Sequence, residues 1–124
     1  MIWRWLRESV SDVRQARRAS RLRRDAQRLC DEQRYTDAIP LLQTALGLVV
    51  PRNDRTSYGV QVSVTLDVSM LLAVAAARAG ERAVAATSIS GALALMDELR
   101  GLDPNFPFSE DVRRWEEWAR AYAG

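Results

Sequence analysis

Apolar side chains recur every three to four residues along most of this chain, which is the period of the α-helix. Residues 2–16 place their apolar side chains in one broad sector and most of their arginines opposite, so they predict an amphipathic helix. From residue 19 onward the apolar set lies on the far side of the same helix. This jump predicts either a bend near residues 17–19 or one long helix that buries different faces at its two ends.

Residues 35–50 carry the second strong helical pattern. Thr36 or Asp37 is expected as its N-cap, because either side chain can accept from the free N–H groups of a first turn. Pro40 is then expected within that first turn, where a missing N–H costs little. A third helical segment leads into Gly80, a residue that suits a chain reversal.

Two more segments complete an all-α chain of about six helices. One runs from Glu81 to about Arg100 and stops before a Gly-Leu-Asp-Pro sequence. The last, SEDVRRWEEWARAYA, begins at Ser109 as an N-cap. Its aromatic residues recur at helical spacing, so we expect this helix to cap one end of the fold.

Residues 59–68, GVQVSVTLDV, form the ambiguous stretch. Apolar and polar side chains alternate there with a period of two, which is typical of a half-buried strand. The chain offers no second strand, and a lone strand leaves its backbone hydrogen-bonding groups unpaired. We therefore favour a helix packed between two neighbours, with an extended segment as the alternative.

Two helical hairpins repeat with a spacing of 47 residues. Small alanines at matching positions would let antiparallel helices approach closely. Neither hairpin can bury its apolar face alone, so the two are expected to stack. The matching residues are Tyr35, Ala38, Ala45 and Leu46 in the first hairpin and Gly80, Glu81, Ala85, Ala92 and Leu93 in the second.

These residues resemble the tetratricopeptide repeat (TPR), and the resemblance covers about residues 20–105. Two positions depart from the family: Gln33 stands where it has a turn glycine, and Arg82 where it has a turn aromatic residue. The spacing also exceeds the roughly 34 residues of the common repeat. It is closer to the stretched repeats of the kinesin light-chain type.

The resemblance implies a protein-binding role, in which a peptide or helix lies on the concave surface formed by the first helices of the hairpins. The lysine and asparagine set that holds a terminal carboxylate in chaperone-binding members is missing. A partly apolar segment of mixed charge is therefore the expected partner. The corresponding surface positions are Arg23, Gln27, Asp31, Asp67, Met70, Val74 and Arg78.

Charge is distributed unevenly. Residues 1–24 hold eight arginines and two acids, a net charge of +6, whereas residues 25–124 have a net charge of −4. A basic helix with tryptophans can cap its own domain, dock on another protein, lie on an anionic membrane or contact nucleic acid. Nucleic acid is the least favoured, because the apolar sector is too broad for a phosphate-binding arm. The residues expected to make this contact are Trp3, Arg4, Trp5, Leu6, Arg7, Val10, Val13 and Arg14.

The residue inventory excludes several kinds of chemistry. Every basic side chain is arginine, which rules out lysine Schiff bases, the lysine of a phosphate-binding loop, and histidine catalysis or ligation. The single cysteine, Cys30, excludes an internal disulfide and lies on an apolar stripe, as expected of a buried side chain. The sequence therefore predicts no enzyme activity, no cofactor, no metal site and no small-molecule substrate.

Together these patterns predict one all-α domain: a basic amphipathic helix over residues 1–18, two TPR-like hairpins over 19–105 and a capping helix over 106–124. No apolar run is long enough to span a membrane and charges interrupt any secretory-type core, so a cytoplasmic location is expected. The predicted function is that of an adaptor or assembly subunit that binds a protein. The alternatives are a peripheral membrane protein tethered by its N-terminal helix and, less favoured, a nucleic-acid-associated factor.

Overall fold

A computed structural model describes the backbone of residues 2–49 and 58–123 and the side chains of residues 13–49 and 62–123. These residues form helices joined by short turns, and none of them forms a strand. α3 packs against α1, α2 and α4, and α1 also packs on α2 and α5 on α4. The all-α prediction is confirmed. The helices are α1 (Ile2–Asp31), α2 (Tyr35–Val49), α3 (Tyr58–Arg78), α4 (Arg82–Leu102) and α5 (Glu110–Ala123).

The described residues form five helices and not the six expected, because α1 continues through residues 17–19 without a break. The segment contains neither glycine nor proline, and it is rich in arginine, alanine and leucine, which are strong helix formers. The single long helix is therefore the correct alternative. The boundary expected at residue 18 falls inside α1.

The ambiguous stretch over residues 59–68 is helical and belongs to α3. Its alternating apolar residues face two different neighbours. Val62 and Leu66 join the apolar cluster shared with α4 and α5, whereas Val68 joins the cluster shared with α1 and α2. A helix buried on two sides explains a pattern that otherwise indicates a strand.

The turns after α1 and α3 have the same backbone hydrogen bonds at a spacing of 47 residues. Gln33 and Gly80 have positive φ angles of 62° and 79°. Each donates its N–H to the carbonyl three residues earlier, at 2.9 and 3.2 Å, and the next N–H donates to the carbonyl five residues earlier, at 2.8 Å in both turns. This pair of bonds is the Schellman motif, which ends a helix and reverses the chain.

Buried positions repeat with the same spacing. Small side chains occupy three of the repeated positions, which lets the helices of each pair approach closely. The predicted internal repeat is thus present in both the core and the turns. Five pairs have both members at most 1% exposed: Ala26 and Ala73, Ala38 and Ala85, Leu42 and Ile89, Ala45 and Ala92, and Val49 and Met96.

The start of α2 differs from the prediction. α2 begins directly after Arg34, whose carbonyl accepts the first helical N–H at 3.2 Å, so neither Thr36 nor Asp37 is the N-cap. The turn after α1 determines where α2 starts. Arg34 donates the N–H that closes α1, and its carbonyl accepts the first N–H of α2. Pro40 therefore lies in the second turn, where the Thr36 carbonyl loses its helical donor. Both residues are exposed, so water can replace that bond.

Candidate protein-interaction surfaces

The residues predicted to line a groove lie on two adjacent helices, α1 and α3. Arg23 donates from Nε to the backbone carbonyl of Asp67 at 3.4 Å, which links the two helices. Gln27 donates to the Asp31 carboxylate one turn further along α1, at 3.0 Å. The structure therefore places Arg23 beside Asp67, whereas Gln27 and Asp31 contact each other along α1.

The α3 members of this set differ in accessibility. The Trp115 indole N–H of α5 donates to the Met70 carbonyl at 3.1 Å. Met70 and Val74 pack against the apolar cluster that contains Trp115 and Ala119. α5 therefore lies over this part of α3, whereas Arg78 at the end of α3 is exposed. The sequence indicated a final capping helix but not the face that it covers.

Directional contacts hold α5 on α4. Two guanidinium nitrogens of Arg100 donate to the two carboxylate oxygens of Glu116 at 2.7 Å each, and Arg120 donates to Glu116 at 2.9 Å. The hydrogen bonds from Arg100 are the main cause of the low pKa of Glu116, which falls from 4.5 to about 2. Arg120 adds to this effect and burial opposes it. The Arg100 guanidinium also lies 4.9 Å from the ring centre of Phe108.

The predicted cap at the start of α5 is confirmed. Ser109 accepts the Val112 N–H on its Oγ at 3.3 Å, and α5 begins at the next residue, Glu110. Trp118 is half-buried and stacks on Tyr122, with 5.5 Å between ring centres. The start of α5 thus follows from a local signal, whereas its position on the fold follows from contacts with α3 and α4.

The N-terminal half of α1 carries the second predicted surface. Within the described side chains, Val13 is 42% exposed, and a row of arginines follows it. None of these arginines forms an ion pair with an acidic residue of the described part of the chain; they are Arg14, Arg17, Arg18, Arg21 and Arg24. Outside the described side chains lie Trp3, Arg4, Trp5, Leu6, Arg7 and Val10.

α1 is twice as long as the helix that follows it. Its 30 residues rise about 45 Å, whereas the 15 residues of α2 rise about 22 Å. Because a short turn joins them, α2 can lie along only the second half of α1.

A recess of about 560 Å³ opens between α3, the end of α4 and the start of α5. Leu102 and Phe106 line it and are 71% and 38% exposed, which is high for large apolar side chains. Asp67 and Asp103 also line it. Burial raises the pKa of Asp67, and the nearby charge of Arg23 opposes that rise. Sequence reasoning selected Asp67 but missed the recess, because the other three residues adjoin it only in the folded chain.

A second cleft, of about 720 Å³, lies between α2, α3 and α4. Its described lining residues include no ionisable side chain. The hydroxyls of Thr65 and Ser88 donate to helix carbonyls at 3.0 and 2.8 Å, which satisfies them internally. The cleft therefore offers apolar surface and small polar groups, without groups suited to acid or base catalysis.

Cys30 is buried, as predicted. Burial raises the pKa of its thiol, the Asp31 carboxylate adds to the rise and Arg23 opposes it. A thiol with a raised pKa stays protonated near neutral pH and is a poor nucleophile. Within residues 2–49 and 58–123 no three His, Cys, Asp or Glu side chains are placed to hold a metal ion.

These observations define an all-helical protein of packed helices with an internal repeat of 47 residues. In its described part, no helix combines the length and apolar character needed to cross a bilayer. Comparisons with protein families, with curated proteins and with solved structures found no match.

Proposed function

We propose that this chain is a non-catalytic protein-interaction module, an adaptor or assembly subunit with TPR-like hairpins. It binds its partner through the basic face of α1. The observation that carries the proposal is the row of five exposed arginines from Arg14 to Arg24, beside the exposed Val13. This face combines positive charge with accessible apolar surface.

The arginine row is favoured as a protein contact because its members have no acidic partner within the described part of the chain. Other exposed arginines on the same molecule do pair with acids, among them Arg34 with Asp37 and Arg114 with Glu110. A planar guanidinium binds carboxylates in a defined geometry and stacks on apolar groups, so arginine is enriched at protein interfaces. The basic face of α1 can therefore make such contacts with a second molecule.

The repeat supports the TPR-like part of the proposal. Two helix pairs are fewer than the roughly three repeats that usually make such stacks stable. α5 covers the outer side of the second pair through Trp115 and Glu116. Among the described residues no comparable helix covers the first pair, and the basic face of α1 lies there. A partner bound at this face would complete the stack.

A membrane surface is the second candidate, and the same arginines favour it. Each basic side chain near an anionic bilayer contributes about 1 kcal/mol. The exposed Val13 and the apolar sector predicted for residues 2–16 would enter the headgroup region. This candidate requires anionic lipid and no specific protein, so one experiment separates the two.

The test compares the full chain with the double variant Arg17→Glu and Arg21→Glu. The matched control, Arg82→Glu with Arg114→Glu, makes the same change in charge at exposed sites on α4 and α5. Each immobilised protein is offered soluble proteins of its native host, and each is mixed with vesicles that contain or lack anionic lipid. Circular dichroism verifies that all three remain helical.

We expect the wild-type chain and the control to retain the same protein and the α1 variant to lose it. Vesicle binding that needs anionic lipid and disappears in the α1 variant would assign this face to a membrane. Equal retention of the partner by both variants would contradict the role given to α1. A chain that retains neither protein nor vesicles would overturn the proposal.

A further inference from the structure

We propose that the basic face of α1 binds a helix of another protein, and that this helix carries acidic side chains along one side. The inference rests on the proposed function and names the kind of partner. The internal repeat indicates that the partner is a helix, and the charge of the basic face indicates that this helix is acidic.

The internal repeat relates the basic face of α1 to a face of α3 that other helices cover. Ala26 and Ala73 are equivalent buried positions, and Ala19 and Leu66, which have the same spacing, are buried as well. Because α1 and α3 are both continuous helices, the same register extends to the arginines. The matched positions are Arg17 with Val64, Arg21 with Val68, and Arg24 with Leu71.

On α3 these positions face the preceding pair of helices. Val68 and Leu71 are buried in the apolar cluster shared with α1 and α2, and Val64 packs against that cluster. The Thr65 hydroxyl donates to the Val49 carbonyl of α2 at 3.0 Å. This side of α3 therefore receives a pair of helices, whereas the equivalent side of α1 is exposed. A helix of another molecule can occupy the corresponding place on α1.

The basic face carries charge where α3 carries apolar side chains, so its partner needs the opposite charge. None of its five arginines has an acidic partner within the described part of the chain. The next acid along α1, Asp25, lies 3.9 Å from Arg28. A face that only keeps the end of a repeat soluble can mix both signs of charge, whereas charge of one sign attracts a partner of the other sign. Guanidinium groups bind carboxylates through paired hydrogen bonds.

The spacing of the arginines matches a second helix. Four of them recur at spacings of three, four and three residues, so they form one row about 15 Å long on α1. The row consists of Arg14, Arg17, Arg21 and Arg24. Glutamates at the same spacings on a partner helix form a row of the same length. The two rows can then lie side by side with one carboxylate for each arginine.

The surface beside the row favours a helix over a membrane or a nucleic acid. The arginines border a cleft of about 810 Å³ that Val13, Ala16 and Val64 also line. Ala16 is buried and Val64 is half-buried, so a flat bilayer would contact the arginines without reaching either of them. A nucleic-acid backbone presents phosphates without apolar side chains. An amphipathic helix can place apolar side chains in the cleft and carboxylates against the arginines.

Two synthetic peptides test the inference, each about 20 residues long because shorter helices are marginal in water. In the row peptide, glutamates recur at spacings of three, four and three residues beside leucines, and the other residues are alanine. The scrambled peptide has the same composition, with its glutamates and leucines distributed around the helix. Each labelled peptide is titrated with the full chain, and fluorescence anisotropy gives the dissociation constants.

We expect the full chain to bind the row peptide about tenfold more tightly than the scrambled peptide, because only the row can match each arginine with a carboxylate. Binding should weaken as salt rises from about 0.1 to about 1 M, since the Debye length falls from about 10 to about 3 Å. Equal affinity for the two peptides would overturn the inference, because the face would then respond to charge alone. Failure to bind either peptide would leave the face as a polar end of the repeat and overturn it as well.

Charge reversal locates the contact. Arg17→Glu with Arg21→Glu should weaken binding of the row peptide about tenfold, whereas the control Arg82→Glu with Arg114→Glu should bind it like the wild type. An exchanged peptide, with arginines in place of its two central glutamates, should bind the α1 variant more tightly than it binds the wild type. This gain cannot come from a misfolded variant. Unchanged binding of the row peptide by the α1 variant, or no gain with the exchanged peptide, contradicts the inference.

Other partners of the basic face are measured in parallel. Vesicles that contain anionic lipid and a short RNA duplex each replace the peptides in the titration. If the chain binds either of them through Arg17 and Arg21 but does not prefer the row peptide, the face belongs to a membrane or a nucleic acid and the inference fails. Light scattering that shows self-association of the wild type but not of the α1 variant would assign the face to a second copy and also overturn it.

These results separate the inference from the proposed function. If the wild-type chain retains a host protein through Arg17 and Arg21 but does not distinguish the two peptides, the acidic-helix inference fails and the proposed function stands. If it retains no host protein and binds neither peptide, both fail. If the peptides and the variants behave as expected, the partner of α1 is an acidic helix.

Discussion

The two helix pairs of this molecule share a turn and a core but differ on their outer faces. Gln33 and Gly80 occupy the same position of the same motif, and the buried positions coincide at a spacing of 47 residues. The second pair is covered by α5 through Trp115 and Glu116, whereas the first carries exposed arginines on α1. Small buried residues and turn geometry thus define the repeat. We propose that the partner binds where the two pairs differ, at the exposed arginines of α1.

The largest expected effect concerns the repeated core. Leu42→Ala and Ile89→Ala each remove a large side chain that is at most 1% exposed, at equivalent positions of the two pairs. We expect each to lower the free energy of unfolding by about 2 to 5 kcal/mol, because lost apolar burial and a new cavity add together. Urea denaturation followed by circular dichroism measures both values.

If the two pairs are equivalent in energy as well as geometry, the two losses should agree within about 1 kcal/mol, which is a small part of the range seen for such changes. Leu95→Ala, at a half-buried position of α4, serves as the control and should cost less. If only one of the two substitutions lowers the free energy of unfolding, the other helix pair contributes little to the stability of the fold.

A smaller effect is expected from the contact that distinguishes the second pair. Glu116→Gln weakens the charge-assisted bonds from Arg100 and Arg120 and should lower the free energy of unfolding by about 1 to 2 kcal/mol at neutral pH. The pKa of Glu116 in the folded chain is about 2, below its ordinary 4.5. Its ionised form therefore stabilises the fold above pH 4.5, and that contribution is lost as the pH falls from 4.5 towards 2.

Urea denaturation at a series of pH values should show a shallower decline below pH 4.5 in the Glu116→Gln variant than in the wild type. Glu110→Gln is the control, because Glu110 and its partner Arg114 are both largely exposed and their pair contributes little. Parallel pH profiles for wild type and Glu116→Gln would show that this carboxylate does not hold α5.

The smallest effect concerns the two turns. Gly80→Ala should cost about 1 kcal/mol, because a residue with a Cβ is strained at positive φ. A Cβ at Gly80 would meet no atom within 4 Å, so the cost is one of backbone conformation. Gln33→Gly should instead stabilise the chain by up to about 1 kcal/mol, because it relieves the same strain in the first turn.

Thermal unfolding of the two variants measures these opposite shifts. Gly101→Ala is the control, since it lies in α4 without a positive φ and with open space around a Cβ; alanine should be tolerated or favoured there. A destabilised Gln33→Gly variant would show that the Gln33 side chain contributes more than its backbone strain costs.

Sequence reasoning succeeded for the ambiguous stretch, for the last N-cap and for the internal repeat. The absence of any partner strand favoured a helix over an extended segment at residues 59–68, and that helix is present; Ser109 is the cap that it was expected to be. The repeat followed from small residues at matching positions. Of these three features only the Ser109 cap joins residues within one turn; the other two came from comparing segments along the whole chain.

Sequence reasoning failed where two signals competed. Thr36 and Asp37 are good N-caps, but the Schellman turn starts α2 immediately after Arg34 and places both inside the helix. The same shift moved Pro40 into the second turn. The change of apolar face near residues 17–19 admitted a bend, but the segment consists of helix-forming residues without glycine or proline, and α1 is continuous.

The candidate surfaces depended on contacts between distant residues. Met70 and Trp115 are 45 positions apart, and their hydrogen bond places α5 over part of the predicted groove. The recess likewise unites Asp67 with Leu102 and Phe106, which share no local pattern. The helices were readable from local periodicity, because that period depends on side chains a few positions apart, and the repeat and the division of charge were readable by comparing one part of the sequence with another. Which faces are covered and which stay open was decided by tertiary packing, since burial depends on neighbours that the local pattern does not name.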